Sequence, residues 1–118
     1  MKFDYNDKND EGVVETSSYA LDYPADVDNA PDKAGVYMFI DGEDEVIYVG
    51  KASGGRLKDE IKSKMNTSSD KGAKKYRWFR TNSDEVAKDL EADWIKKYRP
   101  KNNIAGKFPC SMATLNTY

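Results

Sequence analysis

The chain has 118 residues, 38% hydrophobic and 34% charged, with a formal net charge of −2, enough for one hydrophobic core and too few for two of ordinary size. No stretch approaches membrane-spanning length, and the N-terminus, Met1-Lys2-Phe3-Asp4, lacks an apolar run of the secretory kind, so the expected location is the cytoplasm. With one cysteine, Cys110, and no histidine, the composition excludes an internal disulfide, a Cys/His zinc site and histidine-based acid/base chemistry, leaving Tyr, Lys, Arg, Asp or Glu for any catalysis.

The small net charge conceals an asymmetry. Residues 1–34 hold three Lys against nine Asp and Glu, whereas residues 51–80 hold ten Lys and Arg against three acids. A cationic block of that density, including Lys58, Lys62, Lys64, Lys74, Lys75 and Arg77, fits a phosphate backbone, because such side chains release condensed counterions from nucleic acid. A solvated Lys-rich face would look the same in sequence.

Residues 1–30 mix Asp, Asn, Ser and Gly with scattered Tyr and Val and reach Pro24; they read as an acidic tail or irregular lead-in, with room for a short docked strand. Such a segment either solubilises the chain or folds onto the basic block as a mimic of the phosphate backbone. From Gly35, Val36, Met38 and Ile40 alternate with Tyr37 and Phe39, the period of a strand. A turn at Asp41-Gly42-Glu43-Asp44 and a second run, Val46-Ile47-Tyr48-Val49, make this a hairpin. Ser53-Gly54-Gly55 breaks the chain. Leu57, Ile61 and Met65 then space a helix over residues 56–65, followed by a polar loop, Asn66 to Gly72.

Tyr76 to Arg80 is an aromatic-rich third strand. Asn82 is placed to cap the last helix, with Glu85 completing a capping box, and that helix runs to about Tyr98, because the residue before Pro100 disfavours helical geometry. The expected fold class is α+β, a three-stranded antiparallel sheet flanked by helices. In the last helix Val86, Leu90, Trp94 and Tyr98 form one apolar row and Ala87, Glu91 and Ile95 the next. Glu91 therefore interrupts the core-facing side, where a carboxylate is costly without compensation. Two accounts fit: a carboxylate at the edge of the stripe, or a ligand to an ion such as Mg²⁺, which is commonly held by one or two carboxylates plus waters and phosphate.

The triplets Gly35-Val36-Tyr37 and Tyr48-Val49-Gly50, followed by Lys51-Ala52, Arg56, then Leu90-Glu91-Ala92, Ile95 to Pro100 and Asn103, resemble the GIY-YIG nuclease family, with valine for isoleucine in both triplets. The likeness is greatest to the N-terminal nuclease domain of the bacterial excision-repair incision endonucleases. It covers about residues 31–104, leaving 1–30 as lead-in and 105–118 as a C-terminal tail. The resemblance implies an endonuclease that hydrolyses DNA with one Mg²⁺ or Mn²⁺ and leaves 3′-hydroxyl and 5′-phosphate ends. Tyr37 and Tyr48 would face the scissile phosphate, with Tyr48 as the base, favoured by Lys51 nearby. Arg56 would brace the phosphate, Glu91 would hold the metal, and Asn103 would orient the metal shell or the core of the site.

This sequence departs from the family at two places. The loop before Arg56 is shorter than is common, and Glu60 stands where many members have histidine or tyrosine. Those departures keep open a module that binds nucleic acid or docks a partner without turnover. A third reading is an unrelated α+β protein that stacks single strands on Tyr76 to Arg80. Family members usually take specificity from an additional domain, so a preference for branched or flap DNA, or a protein partner, is expected to fill that role.

Overall fold

Both faces of the strand built from Val36-Tyr37-Met38-Phe39-Ile40 are buried, so its alternation separates two cores and not a core from solvent. The computed structural model describes residues 1–17 and 19–103. Five strands, β1 (Val13–Thr16), β2 (Leu21–Asp22), β3 (Gly35–Ile40), β4 (Val46–Ala52) and β5 (Lys75–Thr81), form one sheet. Its order is β1-β5-β3-β4, with β2 also on β5, and every pairing is antiparallel. Helix α1 (Leu57–Ser63) joins the core on one face, with Tyr37, Phe39, Tyr76 and Trp78. Helix α2 (Asp84–Tyr98) covers Val36, Met38, Val49 and Phe79 on the other. An apolar β3 flanked by strands and helices on every side is what a run without charge permits.

The expected three strands are thus joined by two more in a five-stranded sheet. The two additional ones come from the segment read as lead-in: β1 pairs with Phe79–Thr81 and β2 with Lys75–Tyr76, in tandem along the outer edge of β5. Neither is long or regularly patterned enough to be legible as a strand, and each takes its ladder partners from β5. Acidic residues of this segment find cations as it docks. Asp7 is fully buried, accepts a short hydrogen bond from the Tyr98 hydroxyl and pairs with Lys97 at 2.7 Å and Arg77 at 4.0 Å. Glu15 meets Arg80 at 3.4 Å, and Asp28 meets Lys62 at 2.5 Å.

Local boundaries move for identifiable reasons. Ser83, not Asn82, caps α2, its hydroxyl accepting from the Val86 N–H at 3.2 Å; Glu85 therefore falls one position short of the capping-box site. Arg56 is the cap of α1, not its first residue, and the Lys64 N–H closes the helix onto Ile61. Helix α2 ends at Arg99 in the left-handed conformation, one residue before Pro100. Among the described residues no helix is long and apolar enough to cross a membrane. Cys110 and the rest of the expected C-terminal tail lie outside the described residues.

Candidate active site

Strand register brings the two motif tyrosines onto one face. Phe39 pairs with Tyr48 and Tyr37 with Gly50, so Tyr37 and Tyr48 are diagonal neighbours with ring centroids 6.1 Å apart. Gly50 makes room for this: a Cβ there would lie 2.4 Å from Cζ and the hydroxyl of Tyr37. The Tyr37 ring consequently lies flat over the strand, fully buried, and its hydroxyl has no hydrogen-bond partner among the described residues. Burial above all, then the neighbouring Tyr48, Glu60 and Glu91, pushes its pKa far above the ordinary tyrosine value. Tyr48, in contrast, is only partly buried.

Glu60 and Glu91 thus come close to the same phenol from different helices. β4 is the edge strand on this side of the sheet, and around it α1 presents Glu60 and α2 presents Glu91, both partly exposed. Glu60 also pairs with Lys64 at 3.6 Å across one helical turn, so its charge is partly offset. Among the described residues no group of three or more Asp, Glu, Cys or His side chains is placed to hold a metal ion. Asn103 closes the edge. Its amide accepts from the Val49 N–H and donates to the Val49 carbonyl, each at 2.8 Å. It stands in for a neighbouring strand at the residue between Tyr48 and Gly50.

The short loop before Arg56 works through its glycines. Gly54 and Gly55 both have left-handed backbone, φ +63° and +76°, which glycine adopts without steric cost. The Gly54 N–H is held by the Asp84 carboxylate at 3.0 Å and 3.3 Å. The first N–H groups of α1, on Leu57 and Lys58, donate to the carbonyls of Lys33 and Pro31 at 3.0 Å and 3.3 Å. Arg56 therefore stands exposed between two fixed points. No sequence pattern singled out Asp84; an acid in the first turn of a helix reads only as a complement to the helix dipole.

Other expectations need correction. Lys51 pairs with Val36, whose side chain belongs to the α2 core. It therefore projects from the face opposite Tyr48, and the expected Lys51–Tyr48 proximity is not supplied by the strand. Arg77 is not a surface cation: it is fully buried, under Phe3, Tyr5 and Phe79, with its guanidinium 4.7 Å to 5.8 Å from their ring centroids. Its even spacing from Phe79 along β5 gives it the α2-facing side of the sheet, which the N-terminal segment then seals. Tyr76, Trp78 and Phe79 are buried as well, which removes a stacking surface on β5. Lys75 is tied to Asp44 at 3.2 Å. Of the basic block, Lys58 and Lys62 lie on α1, Lys64 caps its C-terminus, and Lys74 is exposed before β5.

A β-hairpin carrying paired tyrosines over a glycine, an arginine at the start of the next helix and a carboxylate on the last helix define the GIY-YIG nuclease fold. The chain belongs to the family of UvrC-like GIY-YIG domains, whose model matches residues 33–104. It is 37% identical over 92 residues to UvrABC system protein C of Dictyoglomus thermophilum, which covers 73% of this chain and 15% of that protein. With the protein of the same name from Methanosphaera stadtmanae it shares 39% identity over 90 residues, covering 68% of this chain and 15% of that protein. Among solved structures, the GIY-YIG N-terminal endonuclease domain of UvrC from Thermotoga maritima, bound to its catalytic divalent cation, magnesium, superposes with a TM-score of 0.58. The two are 33% identical, and the match covers 67% of this chain and 92% of that one. The chain thus corresponds to a small fraction of the length of the curated relatives.

Proposed function

We propose that this chain is a divalent-metal-dependent endonuclease acting on DNA phosphodiester bonds. The observation that carries the reading is the convergence of Tyr37, Tyr48 and Glu91 at the β4 edge, with Arg56 at the start of the neighbouring helix. The donors fit a hard cation. Glu91 offers partly exposed carboxylate oxygens, and the buried Tyr37 hydroxyl adds a polar atom that no described residue satisfies. Oxygen ligands supplemented by water and phosphate are what Mg²⁺ or Mn²⁺ takes. A bound ion of this kind supplies charge stabilisation to the departing oxygen.

The side chains divide the remaining work. Tyr37, held neutral by burial, donates its hydroxyl hydrogen to a water or phosphate oxygen and does not act as a base. Tyr48, in the same row and partly exposed, takes the proton of the attacking water as its phenolate and releases it to solvent. Water oxygen bonds to phosphorus, the bond to the 3′ oxygen breaks, and the departing oxygen takes a proton from solvent, so that 3′-hydroxyl and 5′-phosphate ends result. Arg56 meets the negative charge that builds on the phosphoryl oxygens. Asn103, one bond network away, fixes the strand that carries Tyr48. Lys58 and Lys62 on α1, Lys64 at its C-terminus and Lys74 extend the cationic surface to flanking phosphates, in a cytoplasmic setting. Specificity for branched or flap DNA, or a protein partner, completes the proposal.

Incubating supercoiled plasmid and branched DNA with Mg²⁺ or Mn²⁺ tests it, beside Glu91→Ala and Arg56→Ala. Cleavage by the native chain, lost in both variants and in chelator, is the expected result; equal cleavage by the variants would assign the activity to a contaminant. A second reading, a DNA-binding module without turnover, draws on Glu60, whose carboxylate lies close to Tyr37 where phosphate would enter. Retarded DNA without cleavage at any metal concentration would select it, and recovery of cleavage in Glu60→Gln would identify the cause.

A further inference from the structure

A groove of about 430 Å³ lies between the loop after α1 and the turn after α2, lined by Lys71, Gly72, Lys101 and Asn102. Its walls are built and not merely adjacent. Asn102 is buried, and its amide nitrogen donates to the carbonyls of Ser69 and Lys71, each at 3.0 Å, which ties the two segments together. The groove also borders the candidate active site. Gly72 approaches Ile47 and Asn103 holds Val49, the two residues that flank Tyr48 on β4.

Charge in the groove has one sign. Lys71 and Lys101 are exposed, and no described carboxylate forms an ion pair with either. Asp70, the carboxylate within that loop, is turned into its own turn. It accepts from the Tyr23 hydroxyl at 2.8 Å and from the N–H groups of Asn66 and Thr67 at 3.0 Å and 3.1 Å. The rim is therefore cationic while its acid is engaged elsewhere. The loop that carries Lys71 runs on directly from α1, so a nucleic-acid strand passing Tyr48 along the β4 edge would meet the cations of both.

We propose that this groove is a phosphate-backbone subsite, in which Lys71 and Lys101 contact phosphates of the DNA strand beyond the one attacked. The inference rests on the nuclease reading for its location and on the groove itself for its chemistry. With the two segments tied together by Asn102, the lysines would set the path of the strand past Tyr48, giving a small domain a longer footprint than α1 alone.

Anisotropy of labelled duplex DNA, measured in chelator over about 50 to 200 mM salt, tests it. Each lysine–phosphate contact contributes a slope of about −0.9 in log affinity against log salt, so Lys71→Ala/Lys101→Ala is expected to flatten the slope by about 1.8. Lys71→Arg/Lys101→Arg should keep the native slope. Lys8→Ala/Lys88→Ala removes two exposed cations from elsewhere and should keep it too. An unchanged slope in the alanine pair, or an equal loss in the Lys8/Lys88 control, overturns the proposal. Plasmid cleavage on the same folded samples separates the two readings. Native cleavage with an unchanged slope removes the groove and leaves the nuclease. A flattened slope in a chain that never cleaves leaves the groove and removes the nuclease.

Discussion

The phenol of Tyr37 lies across the α-carbon of Gly50, so close that a single added methyl would sit 2.4 Å from its Cζ and hydroxyl. The glycine of the second motif triplet is therefore the floor on which the tyrosine of the first one rests. Gly50→Ala should destabilise the fold by about 1–3 kcal/mol through overpacking, because Tyr37 is hemmed in by Phe39 at 5.4 Å and Tyr48 at 6.1 Å between centroids. Urea denaturation measures the loss, and DNA cleavage should fall with it even where the variant stays folded.

Asn103 serves the outer side of the same strand. Asn103→Ala leaves the N–H and carbonyl of Val49 without their partner, at a cost of about 1–3 kcal/mol. Asn103→Asp keeps an acceptor for the N–H and sets a carboxylate against the carbonyl, so it should be no better than alanine. Amide hydrogen exchange at Val49 should quicken in both variants; an unchanged rate would show that the contact does not hold the edge.

Arg77 separates charge that packs from charge that binds. Asp7 retains Lys97 and Tyr98 when Arg77 is replaced, so Arg77→Ala should cost about 3 kcal/mol, the low end for breaking a buried pair. The salt dependence of DNA binding should remain that of the native chain. A flatter slope in a folded Arg77→Ala sample would return this residue to the nucleic-acid surface.

Alkaline pH should weaken the fold. Burial, the largest cause at each position, raises the pKa of Tyr23, Tyr37 and Tyr98, and it raises that of Tyr76 to about 12, from an ordinary value of 10.0. Between those values the unfolded chain has released protons that the folded chain still holds. Stabilisation from these groups is therefore complete below pH 10 and is lost as pH rises above it. Thermal melts from neutral to alkaline pH, with phenolate absorbance, should show the melting temperature falling from about pH 10 upward, less steeply in Tyr37→Phe.

Asp84 is expected to act on Arg56 through the loop. Asp84→Ala frees the Gly54 N–H and should lower kcat by about 10- to 100-fold with little change in melting temperature. Asp84→Asn, which keeps one acceptor oxygen, should restore most of the loss.

The hairpin and both helices were legible in the chain because each depends on local pattern, alternation or four-residue spacing, and the placement of Tyr37 beside Tyr48 follows from that hairpin. The N-terminal strands were not. Val13–Thr16 and Leu21–Asp22 have no pattern of their own and exist because β5 offers an unfilled edge. Arg77 misled for a related reason, since a count of charges carries no information about which face of β5 will be sealed.

By itself, then, the order of residues determined the family, the central hairpin and the identity of the chemical groups. Only the tertiary structure decided which tyrosine is dry, which cations face solvent and how the shortened loop is braced. Those properties arise from contacts between segments far apart in the chain: Asp84 with Gly54, Asn103 with Val49, Asp7 with Tyr98. Burial and charge compensation are set by such contacts and not by neighbours in sequence.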